Sequence, residues 1–393
     1  MEHDGKYFFT NRVGQIYKFG EFLGNLDYLR LEDEIKDEEG RVLVQAKRPL
    51  KDTILQSLIN RGLDEKLTLR FENTEYFESH LISMVISKSD KLLGLNSYSF
   101  PAHLLKSTEV DMDRVIRSAL KNKFFLGFMI LTMFNESAVL DHLFEVTLTS
   151  IGLYATQKKD NLTYSELIHL FQAGMLHDYT TMNSVKWEEE EIFGGESNHD
   201  ALSASEIDRK EIAKEVSKII DGHNRIELRY LNADKRDNWY SDPVELSRII
   251  LKLVEYFNFQ KRLLANEESS TEKVMYDISL QAQKGYFPNP VIKGFVGFFN
   301  KYTEFFTYGS DIGKVENKCP HGKFALAYPK PKSTQVVCKN PEIPCKHRLA
   351  SQPIKVVAIE NEKHKSRLGD HLEPGWYEKC AFSNDLPIPP NDI

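Results

Sequence analysis

The sequence predicts a mainly α protein: a helical bundle with a small α+β module before it and a small β-rich module after it. Three observations carry that expectation. Between Val110 and Leu264, segments with helical apolar spacing follow one another through mostly short connections. Residues 26–72 alternate in polarity on either side of one short helical stretch. After about residue 288 the chain turns Pro-rich, with β-like pieces KFALAYP, TQVVC and IKVVAIE. These shifts divide the chain into an N-terminal module (1–108), a helical domain (109–306) and a C-terminal module with a polar tail (307–393). With 393 residues, 41% of them hydrophobic, the chain is long enough to bury a proper core.

Residues 1–25 show no clear period. LDYLRLEDEI, from Leu26, alternates like a half-buried strand; Asp37 to Gly40 reads as a turn and Arg41 to Val44 as the returning strand. Asp52 is placed to cap a short helix whose Ile54, Leu55, Leu58 and Ile59 share a face, with Gly62 just past its end. Lys66–Glu72 alternates again. Within 73–108 the one expected element is a strand over Leu81–Ile86.

Helices are then expected over Val110–Lys121, Phe124–Phe134, Val139–Gln157, Thr163–Asp178, Asp208–Gly222 and Val244–Leu264. Thr163 and Glu166 stand at capping-box spacing, and Leu167, Leu170, Phe171, Gly174 and Met175 form one stripe behind them. The long break Thr180–Ser205, with Glu188–Glu191 and Gly194-Gly195, reads as a surface loop or a lid.

A formal charge of −7 argues against bulk attraction to nucleic acid or anionic lipid. The opening MEHDGKYFFTNRVGQ lacks a basic stretch followed by an apolar run, so no signal peptide is expected. The apolar run Phe124–Phe134 is too short to span a bilayer and reads as a core helix, so no membrane insertion is expected. Four cysteines in a chain this long make no disulfide framework, and a reduced, cytoplasmic setting is the default.

Chemistry enters with the histidines. His177-Asp178 extends the stripe of the Thr163 helix, which brings imidazole and carboxylate toward the interior together. His142 lies beside the apolar positions Val139, Leu143, Val146 and Ile151, and His223 continues the stripe of Ile212, Val216 and Ile219. His199 falls in the long break, and His169 reads as a partly exposed residue. Taken singly, each is equally a core histidine satisfied by hydrogen bonds. Taken together, three helices deliver imidazoles on or beside an inward stripe, and a bundle core is where such side chains converge on metal.

The order His142, His177-Asp178, His199, His223 resembles the HD superfamily of metal-dependent phosphohydrolases, in particular its HD-GYP branch, whose activity is hydrolysis of cyclic di-GMP. QAGMLHDYT is similar to the family helix AALLHDIGK. Residues 31–69 resemble the small module that often precedes such domains, SRIILKLVEYFN resembles the later family helix, and FPNPVIKGFVGFFNKYTEFFTYGSDIGKV its closing helix and tail. The resemblance covers about residues 26–360 and implies an HD-type helical bundle. It also implies a divalent metal site (Fe, Mn or Zn) held by His142, His177, Asp178, His199 and His223. Asp178 would bridge ions as the catalytic carboxylate, acting on a cyclic dinucleotide in a signalling setting.

Several positions depart from the family pattern. Thr181 replaces a lysine, Asn224 replaces the second histidine of a pair, and no Gly-Tyr-Pro triplet follows. The late carboxylate falls on Val254, so Glu255 is an additional ligand only if its helix shifts or bulges. These losses imply a mononuclear or weak site with weak or absent turnover. The alternative is a non-catalytic module that senses a nucleotide or binds a signalling protein partner. Arg225, Arg229, Lys235 and Arg236 either supply the missing positive charge or form a solvated basic loop. Near the C-terminus, Cys319, His321, Cys338 and Cys345 are either a structural zinc site or ordinary free side chains.

Overall fold

The computed structural model describes residues 1–308 apart from 5–6, 25, 62–66, 72–73, 95–98, 136–137, 159–160, 182–197, 225–229, 231–237 and 264–269; beyond 308 it describes four short strands. The first of its strands are β1 (Glu2–His3) and β2 (Phe8–Thr10), followed by helix α1 (Val13–Phe22). A 3-10 turn leads to β3 (Leu29–Leu31), and β4 (Ile35–Lys36) and β5 (Val42–Val44) form a hairpin. Helix α2 (Asp52–Asn60) and strand β6 (Leu67–Phe71) complete the module.

The main sheet is antiparallel in the order β1-β2-β6-β3, with Leu69 paired to both Phe8 and Leu31. Its inner face is apolar because Phe8, Leu29, Leu31, Leu67 and Leu69 are buried, as period-2 patterning requires. The hairpin turns where Gly40 adopts φ +78°. There the Asp37 carboxylate accepts from the Glu39 and Arg41 amides and from the Arg41 side chain. The expected α+β module over 26–72 is therefore present, with α1 and two further strands added from residues 1–25.

Among the described residues, twelve helices follow in sequence: α3 (Thr74–Leu93), α4 (Ser99–Thr108), α5 (Met112–Ala119), α6 (Lys123–Phe134), α7 (Ala138–Gln157), α8 (Tyr164–Leu176), α9 (His199–Asp208), α10 (Lys214–Ile220), α11 (Asn238–Ser241), α12 (Pro243–Leu263), α13 (Ser270–Gln283) and α14 (Asn289–Tyr308). The protein is thus mainly helical with a small N-terminal sheet. Helix α6 starts where Asn122 accepts from the Phe125 amide, and its residues Phe124 to Thr132 are all buried. Helix α8 starts with a complete capping box between Thr163 and Glu166. Such caps satisfy amides that a helix cannot pair internally.

Helix α7 is the central element, with Leu143, Phe144, Val146, Leu148 and Ile151 fully buried. Each such side chain contributes about 1.5–3 kcal/mol of transfer free energy. Two glycines set the approach of its neighbours. A Cβ on Gly152 would lie 2.6 Å from Leu104 of α4, and one on Gly174 of α8 would lie 2.6 Å from Thr147 Oγ1. Among the described residues, no helix is long and apolar enough to cross a membrane.

The structure corrects several expectations. Leu81–Ile86 is no strand but part of α3, where Leu81, Val85, Ile86 and Leu92 form a helical stripe; the short apolar run hid the longer period. The break expected over Thr180–Ser205 ends earlier, because α9 begins at His199. Its buried face is His199, Asp200, Ser203, Ala204 and Ile207, too polar to register as an apolar stripe. The helix expected over Asp208–Gly222 is only α10, which stops before Gly222 takes φ +83°. The change of character expected at about residue 288 comes later, since α14 runs to Tyr308, where the resemblance had put a closing helix and the helical domain was expected to reach 306. The three β-like pieces contribute β7 (Ala325–Ala327), β8 (Gln335–Cys338) and β9 (Lys355–Val356), joined by β10 (Gly375–Glu378) in the order β7-β8-β10-β9.

Candidate metal centre

Six side chains from five parts of the helical body meet at one place. His142 comes from the first half of α7 and Glu255 from the middle of α12. His177 and Asp178 occupy the turn directly after α8, His199 is the first residue of α9, and His223 lies in the turn after α10. All six are buried, His177 and His223 completely. Adjacent imidazole rings lie 5.6 Å apart for His142 and His177, 5.1 Å for His177 and His223, and 5.3 Å for His199 and His223.

The two oxygens of Asp178 face different partners. Oδ2 lies 3.3 Å from His177 Nε2 and 3.8 Å from His142 Nε2. Oδ1 lies 3.4 Å from His199 Nε2 and 3.9 Å from His223 Nε2. Glu255 divides likewise, with Oε1 3.4 Å from His142 Nε2 and Oε2 3.3 Å from His177 Nε2.

Backbone contacts fix which ring nitrogen faces the centre. His177 Nδ1–H donates to the Gly174 carbonyl at 2.6 Å, and His223 Nδ1–H donates to the Ile220 carbonyl at 2.8 Å. Both rings are therefore held with Nε2 unprotonated and turned inward when neutral, as metal-binding histidines are. With Nδ1 engaged, each has one nitrogen left and can serve one ion.

His177 Nε2, Asp178 Oδ2 and His223 Nε2 are buried and have no hydrogen-bond partner among the described residues. Groups of this kind are costly to bury unless something satisfies them. Two trios, His142–His177–Glu255 and His177–Asp178–His223, each have ligand atoms mutually within 4.8 Å. Neutral imidazole with carboxylate is a donor set suited to Fe, Mn or Zn. The cluster fits a divalent metal.

Electrostatics point the same way. Burial pulls the His177 imidazole down, but the Asp178 and Glu255 carboxylates outweigh it and hold the pKa well above its ordinary value. Burial pushes both carboxyls up, yet His177 beside Asp178, and His142 beside Glu255, bring them below the usual range. Burial and the neighbouring His177 charge lower His223 to about 4. The buried carboxylates thus favour positive charge beside them, which is the preference a cation would meet there.

The five residues expected as ligands all lie in the cluster. Glu255 joins them: of the shift or bulge expected to be needed, no bulge is present, since α12 is continuous through that position, and Val254 packs fully buried in the apolar core. Thr181 spends its hydroxyl on the Asp178 carbonyl at 3.0 Å. Residues 225–229 and 231–237, with their four basic side chains, lie outside the described residues, as do Cys319, His321 and Cys345; of Cys338 only the backbone, at the end of β8, is described.

Sequence reasoning missed two neighbours, Thr180 and Ser203, and noted Asn224 only as standing where the resemblance puts a histidine. The Asn224 amide nitrogen lies 3.5 Å from His199 Nδ1 and 3.4 Å from its Nε2. Thr180 and Ser203 hydrogen-bond to one another beside Asp178 and His199. No spacing signal in the sequence pairs positions so far apart. No family model, curated protein or solved structure matches this chain.

Proposed function

We propose that the protein is a metal-dependent phosphohydrolase of the HD type, acting on a phosphodiester such as a cyclic dinucleotide through two divalent ions. The observation that carries this reading is the division of Asp178, whose two oxygens face separate histidine pairs. One ion would be held by His142, His177, Glu255 and Asp178 Oδ2, and the other by His199, His223 and Asp178 Oδ1. Divalent ions held there would polarise a phosphoryl oxygen and acidify a water for attack on phosphorus.

The chain's own groups supply the rest. The two carboxylates offset part of the charge of two divalent cations and leave a net positive centre, which suits an anionic ester. The second ion has one carboxylate oxygen and two imidazoles, fewer protein donors than the first, so its side is the open one for substrate. Asn224, beside the His199 ring, offers an amide donor at that side.

The test is metal analysis of the purified chain together with hydrolysis of bis-(p-nitrophenyl) phosphate and cyclic di-GMP in Mn²⁺ or Fe²⁺. The expected result is two ions per chain and linear product, both lost in Asp178→Ala. A chain without metal overturns the reading. Metal without product from either ester leaves the non-catalytic nucleotide sensor.

A further inference from the structure

Asp178 is held by two sets of contacts with different reach. Locally, the turn after α8 is closed by the Tyr179 amide donating to the Leu176 carbonyl and by the Thr181 amide donating to the Asp178 carbonyl, both at 3.0 Å. These bonds fix Asp178 relative to α8 and therefore relative to His177. They say nothing about α9, which carries His199 and enters the chain 19 residues after Thr180.

The link to α9 is made by two hydroxyls. The Thr180 amide donates to Ser203 Oγ at 3.2 Å, and the hydroxyls of Thr180 and Ser203 share a hydrogen bond of 2.9 Å. The Thr180 hydroxyl also reaches the His199 carbonyl at 3.5 Å. Ser203 is fully buried one helical turn after His199, on the same face of α9. Thr180 is two residues from Asp178 and exposed to solvent. The pair is thus a clamp between the backbone that carries Asp178 and the helix that carries His199. By contrast, His142 is placed by α7 and Glu255 by α12, and neither helix touches the clamp through any of these bonds.

We propose that Thr180 and Ser203 are positioning residues that set the seat of one ion only, the one between Asp178 Oδ1, His199 and His223. The proposal rests on the two-ion reading above. A hydrogen bond one step removed from the ligands typically changes metal affinity by about 10–100-fold when lost. Asp178 is already held against the first ion by the turn after α8, so the clamp acts on the placement of α9, and with it His199, through backbone contacts; the lower end therefore applies, on the order of tenfold.

The experiment is equilibrium dialysis of the full chain against graded Mn²⁺, with bound metal counted per chain, on the wild type and on Thr180→Val, Thr180→Ser and Ser203→Ala. Thr180→Val keeps the shape at an exposed position and removes the hydroxyl, so folding is retained; Thr180→Ser keeps the hydroxyl. The expected result is two binding steps in the wild type. The weaker step should move about tenfold in Thr180→Val and Ser203→Ala, the tighter step should stay in place, and Thr180→Ser should match the wild type. Wild-type binding in both Thr180→Val and Ser203→Ala overturns the clamp and leaves the metal centre standing. Equal weakening of both steps also overturns it, since that is what general loosening of the fold produces. A wild type that binds fewer than two ions overturns the two-ion reading and the clamp with it.

Discussion

Replacing Gly174 by alanine tests how closely α7 and α8 must approach for the cluster to form. The added methyl would lie 2.6 Å from Thr147 Oγ1 and 3.1 Å from both the Cα and the Cβ of Thr147. Ordinary van der Waals contact begins near 3.4 Å. The hydroxyl can rotate away, but the Cα belongs to the backbone of α7, so the helices must part by roughly 0.3 Å. Overpacking of this kind costs about 1–3 kcal/mol, and the better helix propensity of alanine returns about 1 kcal/mol of it. The net loss is about 1 kcal/mol and at most about 2 kcal/mol, or a fall in Tm of roughly 1–3 °C for a chain of 393 residues. Thermal unfolding of the metal-free chain measures it. Gly14→Ala is the matched control, because its Cβ meets nothing within 4 Å; its Tm should hold or rise. A Gly174→Ala variant with a Tm at or above the wild type would show that the helices are not in limiting contact, and the argument would fail.

Three further outcomes follow from the same contacts. Free Mn²⁺ at about one hundred times the Kd of one site should stabilise the chain through that site by about 2.7 kcal/mol; a chelator should reverse this, and Asp178→Ala, which takes a ligand from both ions, should show no shift in the same melting assay. His3 is lowered to about 4 from 6.5 by burial and by the nearby Lys210 charge. Its unfolded form therefore binds a proton first, so its contribution is complete above pH 6.5 and fades as the pH falls toward 4. Denaturant titrations of the wild type and His3→Gln should differ in slope across that window, by at most about 3 kcal/mol in total; parallel curves would refute the linkage. Asn122 caps α6 and also donates from its amide to the Glu211 carbonyl. Asn122→Ala should cost about 1–2 kcal/mol in the same titration, and no change would mean that neither bond matters.

Much of the fold was legible because α5 to α8 and α12 are built on apolar stripes, and each begins and ends within a few residues of where its stripe does. Thr163 and Glu166 announced α8 by chemistry that acts over three residues. The elements that escaped lack such local marks. Helix α9 buries histidine, aspartate and serine, so nothing apolar betrays its inward face. Leu81–Ile86 looked like a strand because only the run around it reveals a helical period. At the site, His142, His177, Asp178, His199 and His223 stood out by residue type and order, whereas Glu255 was uncertain because its inclusion depends on the rotation of α12. Thr180 and Ser203 were invisible, and the contact of Asn224 with His199 with them, because their partners come from other segments, and hydrogen-bond pairing across such separations leaves no pattern along the chain.

The imidazoles of His177 and His223 each lean on a carbonyl of the last turn of a helix, Gly174 in α8 and Ile220 in α10. Helix ends of that polarity carry roughly half a negative charge. Two such ends therefore converge on one buried spot and bias it toward cations before any carboxylate is counted. An oxyanion approaching the empty chain would meet that field as a barrier. On the proposed reading, metal would enter first and reverse the sign of the potential, and a negatively charged ester would be drawn to the site only afterwards.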